Sequence, residues 1–127
     1  MTQQSHRALA IKPADTVVFT SMSKKYFYMR LFVTKFALEQ GAVPINPFAS
    51  FDYFLLDAVE RDTVRRANNT LVARADELWV FGDIADGVRV EIIQAWQQHK
   101  TVRFFVFRDD KHIYEVTIDD LVYEDGV

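Results

Sequence analysis

The chain has 127 residues, a length that suits one compact domain. Half of its residues are hydrophobic, and its net charge of −3 gives no electrostatic reason to expect a nucleic acid or an acidic membrane as partner. The absence of cysteine excludes disulfides, thiolate zinc sites and cysteine nucleophiles.

Strand-like and helix-like patterns alternate along the chain after a polar N-terminal arm at 1–14. The predicted elements are a strand at 16–22, a helix at 23–40, a strand at 42–48, helical segments at 49–75 with a break near Asp62, a strand at 77–82, a helix at 87–100, a strand at 101–107, a small strand at 113–118 and a short helix at 119–125. The first helix is predicted from the apolar positions Met29, Phe32, Phe36 and Leu38 and from the stop at Gly41.

This alternation predicts an α/β fold for residues 15–127. We expect a single-domain Rossmann-like or flavodoxin-like three-layer sandwich with a mainly parallel sheet of four or five strands. Ligands of such sheets bind beyond the carboxyl ends of the strands. The loops at 20–27, 46–54 and 82–91 are therefore the candidate binding region.

Glu91 is the carboxylate that stands out in this region. Asp86 or Asp83 could cap the helix. If Asp86 is the N-cap, Glu91 lies in the second turn and the capping-box position belongs to Arg89, so capping does not explain Glu91. The predicted sheet-facing stripe of this helix consists of Val88, Ile92, Ala95 and Trp96.

Beside that stripe, the Glu91 carboxylate is expected to point toward the cleft, where the helix dipole favours its ionised form. Such a group can act as a nucleophile or stabilise an oxocarbenium-like centre. The alternative is a solvated glutamate that merely favours the dipole.

Aromatic and basic residues near the same sheet edge are weaker candidates. Phe48, Phe51 and Tyr53 could stack a nucleobase, or they could pack a helix or a subunit interface. Arg30 could pair with a phosphate and Tyr26 and Tyr28 could line the pocket, or all three could be ordinary boundary residues. His6, His99 and His112 have no metal-binding spacing and are expected at the surface.

The segment "ARADELWVFGDIADGVRVEIIQAWQQHKTVRFF" resembles the nucleoside 2-deoxyribosyltransferase superfamily, which includes 2′-deoxynucleoside 5′-monophosphate N-glycosidases. The matching features are Ala75-Asp76 before a strand, Gly87-Val88 with Glu91 at a helix start, Ala95 on that helix, and Lys100 before the next strand. The segment "VVFTSMSKKYFYMRLFVTKFALEQGAVPINPF" fits the first strand, ligand loop, helix and second strand of the superfamily. The resemblance spans roughly residues 16–107.

The resemblance implies roles for individual residues. Glu91 matches the catalytic glutamate that attacks the anomeric carbon, and Asn68 stands where the superfamily has an aspartate that positions the sugar and assists proton transfer. An amide can hold a hydroxyl but is neither an acid nor a base near neutral pH. The implied substrate contacts are Thr20, Ser21, Met22, Ser23 and Lys24 in the first loop, Phe48 and Phe51 in the second, and Asp86, Gly87 and Val88 in the third.

Two departures from the pattern accompany Asn68. The first loop lacks the glycines of the monophosphate glycosidases, and Ala85 replaces a polar residue for which Asp86 or Asp83 could substitute. The resemblance implies a hydrolase or deoxyribosyltransferase acting on the N-glycosidic bond. The alternatives are a catalytically inactive nucleotide- or metabolite-binding module on the same fold, and a structural protein that associates through its aromatic surface.

The implied partner is a small-molecule nucleoside or nucleotide. No cofactor and no metal are implied, and neither a nucleic acid nor a membrane is expected. The resemblance also implies a homodimer or higher homo-oligomer. A polar N-terminus without a signal-peptide core, and the absence of any long apolar run, lead us to expect a cytoplasmic protein.

Overall fold

A computed structural model describes residues 6–50, 58–109 and 112–127 as an α/β fold around one five-stranded sheet. The order of the strands across the sheet is β2-β1-β3-β4-β5, the flavodoxin-like order. The first four strands are parallel and β5 is antiparallel to β4. The predicted fold class is confirmed.

The main elements follow the predicted order, but a short helix at Arg7–Ala10 lies within the predicted polar arm. The strand predicted at 42–48 ends at Ile45, because Asn46 accepts the Phe48 amide and a helical turn begins at Pro47. The elements are α1 (Arg7–Ala10), β1 (Thr16–Met22), a 3₁₀ helix (Lys24–Met29) that continues into α2 (Arg30–Glu39), β2 (Ala42–Ile45), α3 (Pro47–Ser50), α4 (Arg61–Arg74), β3 (Glu77–Phe81), α5 (Asp86–Gln97), β4 (Thr101–Phe107), β5 (Ile113–Val116) and a 3₁₀ turn (Ile118–Asp120). None of the helices in the described ranges is long and apolar enough to cross a membrane.

Helices cover both faces of the sheet because the alternate side chains of its inner strands are apolar in both directions. On one face, Phe19 and Leu78 pack with Val72 of α4 and Ile92 of α5. On the other face, the buried residues of the sheet pack with α2; they are Val18, Met22, Trp79, Phe81 and Phe105. This three-layer packing brings α4 and α5 to the same face of the sheet.

Two helical faces differ from the sequence prediction. Of the predicted apolar positions of the first helix, Met29 is buried and Phe36 packs against the core, but Phe32 and Leu38 are exposed. The buried residues of α2 are Val33 and Ala37, which lie on the same side of the helix as Phe36. In α5, Val88, Ile92 and Ala95 are buried as predicted. Trp96 is half-exposed, so its assignment to the sheet-facing stripe is wrong; it lies at the margin of the arc that the other three define.

The end of the chain also differs from the prediction. A helix was predicted at 119–125, but helical structure there is confined to the 3₁₀ turn, Tyr123 forms a β-bridge with Ile84, and the chain turns at 125–126. The Ile84 amide donates to the Val122 carbonyl (2.8 Å), and the Glu124 amide donates to the Ile84 carbonyl (2.9 Å). Pairing with the β3–α5 loop therefore replaces the predicted helix.

Candidate functional site

Three elements bring Ser21, Asn68 and Glu91 together near the carboxyl ends of β1 and β3. Ser21 is the penultimate residue of β1, Asn68 lies in the middle of α4, and Glu91 lies in the second turn of α5. The parallel pairing of β1 with β3 aligns Ser21 with Val80, close to the point where the chain turns toward α5. The position agrees with the ligand-binding edge of an open parallel sheet.

Both carboxylate oxygens of Glu91 accept hydrogen bonds. The Ser21 hydroxyl donates to Oε1 at 2.6 Å, and the Asn68 side-chain amide donates to Oε2 at 2.6 Å. Both distances are short for hydrogen bonds. Among the described residues, neither Arg89, Arg30 nor any other cation pairs with Glu91. The carboxylate is thus held by two neutral donors.

Burial is the main influence on the ionisation of Glu91. Burial raises the pKa of its carboxyl above the ordinary value of 4.5, while the hydrogen bonds from Ser21 and Asn68 act in the opposite direction. The net direction is opposite to that expected from the helix dipole alone. A carboxyl of this kind can act as a nucleophile or cation stabiliser when ionised, and as an acid when protonated.

The first loop contributes one residue to this arrangement. Ser21 is fully buried and contacts Glu91, whereas the Thr20 hydroxyl donates to the Ile45 carbonyl at 3.0 Å and joins β1 to β2. Met22 is part of the core, and Ser23 caps the 3₁₀ helix by accepting from the Lys25 amide. Lys24 is exposed. The structure therefore gives Thr20, Met22 and Ser23 structural contacts instead of an open binding surface.

No side chain caps the N-terminus of α5, which follows the third loop. The N-cap residue is Ala85, so the prediction that Asp86 or Asp83 caps the helix is wrong. Asp86 and Gly87 are the exposed first residues of α5, while Val88 is buried in the core. Of the three expected substrate contacts here, Asp86 and Gly87 are accessible from solvent.

Asp83 instead fastens the third loop to the first. Its carboxylate forms an ion pair with Lys25, which also lies 3.9 Å from Glu124, and its backbone amide donates to the Tyr26 hydroxyl at 3.2 Å. Sequence reasoning missed this linkage, because nothing in the local pattern pairs residues so far apart. It fixes the segment that leads from β3 to Glu91.

Of the three aromatic residues predicted to stack a nucleobase, the structure describes only Phe48. Phe48 is half-buried and meets Phe27 edge-on, with the ring centroids 5.5 Å apart. Arg30 stacks its guanidinium over Phe27, 4.1 Å from the ring centroid, and donates to the carbonyl of the same residue. Phe51 and Tyr53 lie outside the described residues. The predicted stacking platform therefore stays a prediction.

Asp76 and Lys100, two of the residues on which the resemblance to the 2-deoxyribosyltransferases rests, make structural contacts. Asp76 exchanges hydrogen bonds with Val17: its carboxylate accepts from the Val17 amide, and its own amide donates to the Val17 carbonyl, both at 2.8 Å. The Lys100 ammonium donates to the carbonyls of Ala73 and Ala75 at the end of α4. These contacts fix the junction between α4 and β3, and with it the direction of the helix that carries Asn68.

The described residues contain no group of three or more histidine, aspartate or glutamate side chains that could hold a metal ion. Ser21, Asn68 and Glu91 do not form a metal-binding set, since one carboxylate with a hydroxyl and an amide offers few anionic ligands. The chemistry of the site therefore centres on the Glu91 carboxylate.

Fold and site together define an α/β protein of flavodoxin-like strand order with one buried carboxylate at the ligand edge of its sheet. Residues 20–105 match the sequence profile of the family described as Domain of unknown function (DUF7768), and the chain belongs to this family. The matched range includes Ser21, Asn68 and Glu91. No curated protein matches the chain.

Proposed function

We propose that the protein cleaves the N-glycosidic bond of a nucleoside or nucleotide, with Glu91 as the group that attacks the anomeric carbon. The observation that carries the proposal is the position of the Glu91 carboxylate, which two donors from β1 and α4 hold at the ligand edge of the sheet. The sequence resemblance to nucleoside 2-deoxyribosyltransferases supports the same role for the same residue.

The geometry suits a two-step displacement. One oxygen of Glu91 bonds to the anomeric carbon while the base departs, and the resulting glycosyl ester is then attacked by water or by a second base. Ser21 stabilises the second oxygen throughout. Asn68 can exchange its bond with Glu91 for one with a sugar hydroxyl, which frees the attacking oxygen. In this scheme Asn68 orients the sugar and transfers no proton.

A specific observation favours a second candidate, a nucleotide- or metabolite-binding module without catalysis. Both oxygens of Glu91 are already engaged, and neither partner is an acid. A site of this kind can recognise a sugar hydroxyl or a cationic group and leave the bond intact. The two candidates share the same residues and differ only in whether a base is released.

Base release distinguishes the two candidates. The purified chain is incubated with ribo- and deoxyribonucleosides and their 5′-monophosphates, and free bases are resolved by chromatography. Glu91→Gln is the test variant, and Glu39→Gln, which changes an exposed carboxylate on α2, is the matched control. We expect release by wild type and Glu39→Gln and none by Glu91→Gln. No release from any substrate, together with a raised melting temperature on addition of one of them, would establish the binding module.

Self-association and a cytoplasmic location stay predictions. A subunit interface would have a suitable surface on α2, which exposes Leu31, Phe32 and Leu38, and on the preceding 3₁₀ helix, which exposes Tyr28. Small-molecule nucleosides and nucleotides remain the proposed ligands.

A further inference from the structure

The Glu91 carboxyl group is shielded from solvent and has no cationic partner in the described part of the chain. Its two hydrogen-bond donors, Ser21 and Asn68, are neutral, and no ion pair of the described residues includes Glu91. An ion removed from water without a counter-charge is costly, and a ligand that brings a positive charge offsets that cost. The site is electrostatically complementary to a cation.

The same arrangement lacks a proton donor for a leaving group. A neutral purine or pyrimidine nucleoside releases its base as an anion unless an acid protonates it, and general acids contribute about 10²- to 10⁴-fold to such steps. Serine and asparagine are not acids near neutral pH. Glu91 cannot attack the sugar and protonate the base in the same step. The trio therefore suits a base that leaves without taking up a proton.

We propose that the substrate is an N-glycoside of a cationic base, such as a pyridinium or an N7-alkylated purine. The proposal rests on the proposed function, because it concerns the bond that Glu91 breaks. It specifies that the substrate carries a positive charge, and this charge explains why the site needs no acid at position 68.

The reaction balances without an acid. A Glu91 oxygen forms a bond to the anomeric carbon as the carbon–nitrogen bond breaks, and the electron pair of that bond passes to the ring nitrogen and neutralises its positive charge. The base leaves as a neutral molecule. Water then attacks the anomeric carbon, the glycosyl ester breaks, Glu91 is regenerated as a carboxylate, and the proton of the water passes to solvent. The positive charge of the substrate also stabilises the ionised form of Glu91 before attack.

Base release from matched pairs of substrates tests the proposal. At neutral pH the probes are 7-methylguanosine and guanosine, which differ in the charge of the base, together with nicotinamide riboside, and each is used in ribo and 2′-deoxy form. We expect release from the cationic probes, at least about 100-fold faster than from guanosine, and complete dependence on Glu91. Asn68→Asp introduces an acid but also removes a hydrogen-bond donor from Glu91, so both rates should change, and the ratio of the 7-methylguanosine rate to the guanosine rate should fall.

The outcomes separate this inference from the function on which it rests. Glu91-dependent cleavage of guanosine and 7-methylguanosine at similar rates would overturn the cationic substrate and keep the glycosidase. No cleavage of any probe would overturn both. Since 7-methylguanosine is intrinsically more labile, the effect of Asn68→Asp on the ratio of the two rates carries the decision: a ratio that the substitution leaves unchanged would also overturn the inference.

A binding measurement keeps the test decisive if Asn68→Asp does not fold. The dissociation constants of 1-methylnicotinamide, a cation, and nicotinamide, its neutral counterpart, are compared by calorimetry. We expect the cation to bind at least about tenfold more tightly, and Glu91→Gln, which keeps the shape of the side chain, to abolish that preference. Equal affinities, or a preference that persists in Glu91→Gln, would contradict a cation site at Glu91.

Discussion

The ring of Tyr26 lies directly against the backbone of Gly82, so that a Cβ atom at position 82 would overlap the ring. Gly82 ends β3 with a φ of +78°, a left-handed conformation that favours glycine. The Tyr26 hydroxyl accepts the amide proton of Asp83, the next residue. This contact joins the first and third loops at the start of the segment that leads to Glu91.

Gly82→Ala should therefore lower the free energy of unfolding by about 2 kcal/mol or more. The left-handed conformation alone costs roughly 1–2 kcal/mol for alanine, and a displaced Tyr26 ring would also lose its bond to Asp83. Gly87→Ala is the matched control, because Gly87 is helical and a Cβ there meets nothing within 4 Å. It should raise the free energy of unfolding by about 0.5 kcal/mol. Urea denaturation measures both, and equal effects of the two substitutions would contradict the packing of Tyr26 on Gly82.

Ser21→Ala should shift the pH dependence of the proposed base release. The Ser21 hydrogen bond lowers the pKa of Glu91, so its loss raises that pKa further. If ionised Glu91 is required, the acidic limb of the kcat profile moves to higher pH, and kcat at neutral pH falls more than KM changes.

Thr20→Val is the control for Ser21→Ala, because the neighbouring hydroxyl bonds to Ile45 instead of Glu91. It should destabilise the fold and leave the acidic limb in place. The same shift of the limb in both variants would show that Ser21 acts only through the general stability of β1.

Glu91→Gln should stabilise the protein at neutral pH. Because burial raises the folded-state pKa above 4.5, the folded protein binds the proton more tightly than the unfolded chain, and stability is lost as pH rises from the unfolded pKa through the folded pKa. Glutamine does not titrate, so Glu91→Gln does not lose stability in this way. Its free energy of unfolding, measured by urea denaturation, should exceed that of wild type by a large amount at pH 7 and by a small amount at pH 4.

Glu115→Gln should show the opposite sign, since the hydrogen bond from Arg103 lowers the pKa of Glu115. The stability from that carboxylate is present above the unfolded pKa and lost as pH falls through the folded pKa. Glu115→Gln should therefore be less stable than wild type at pH 7 and converge with it in acid. A Glu91→Gln variant that behaves in the same way as Glu115→Gln would contradict the burial of an uncompensated carboxylate.

The fold was predictable because its signals are periodic and local. The β-branched and aromatic runs of β1, β3 and β4 and the stops at Gly41 and Gly82 determine the alternation of strands and helices. The antiparallel β5 was predicted as a strand, but its direction depends on the short turn after β4 and was not foreseen. The helix predicted at 119–125 was wrong because Val122 and Glu124 pair with Ile84. This is a tertiary contact that leaves no pattern in the local sequence.

The site was predictable in part. The place of Glu91 near the start of the helix after β3 indicated one residue of the site, and the resemblance to the 2-deoxyribosyltransferases indicated Asn68; their side chains meet at 2.6 Å. The direct contact of Ser21 with Glu91 needs the register of β1 against β3 and the position of α5 over them, and 70 residues separate the pair. Side-chain direction along β1 decides that Ser21 faces α5 while Thr20 faces away, and an error of one residue in register would exchange the two.

The exposed face of α2 predicts self-association. Apolar side chains occupy both sides of this helix: Val33 and Ala37 pack on the sheet, while Leu31 is 72% exposed and Leu38 is 57% exposed on the opposite side. A helix that is apolar around most of its circumference is usually buried. A second copy of the chain, packed face to face on α2, would cover this side.

Leu31→Lys should raise the dimer dissociation constant at least about tenfold, because it places a charge in an apolar interface. Val90→Lys is the matched control, since Val90 is 43% exposed on α5, away from the α2 face. Sedimentation equilibrium over a range of concentrations gives both constants, and thermal denaturation confirms that each variant folds. Because Leu31 is already exposed in the single chain, its replacement should leave the stability of the monomer nearly unchanged. A wild-type protein that stays monomeric at all concentrations, or a Val90→Lys variant that dissociates equally, would exclude α2 as the dimer contact.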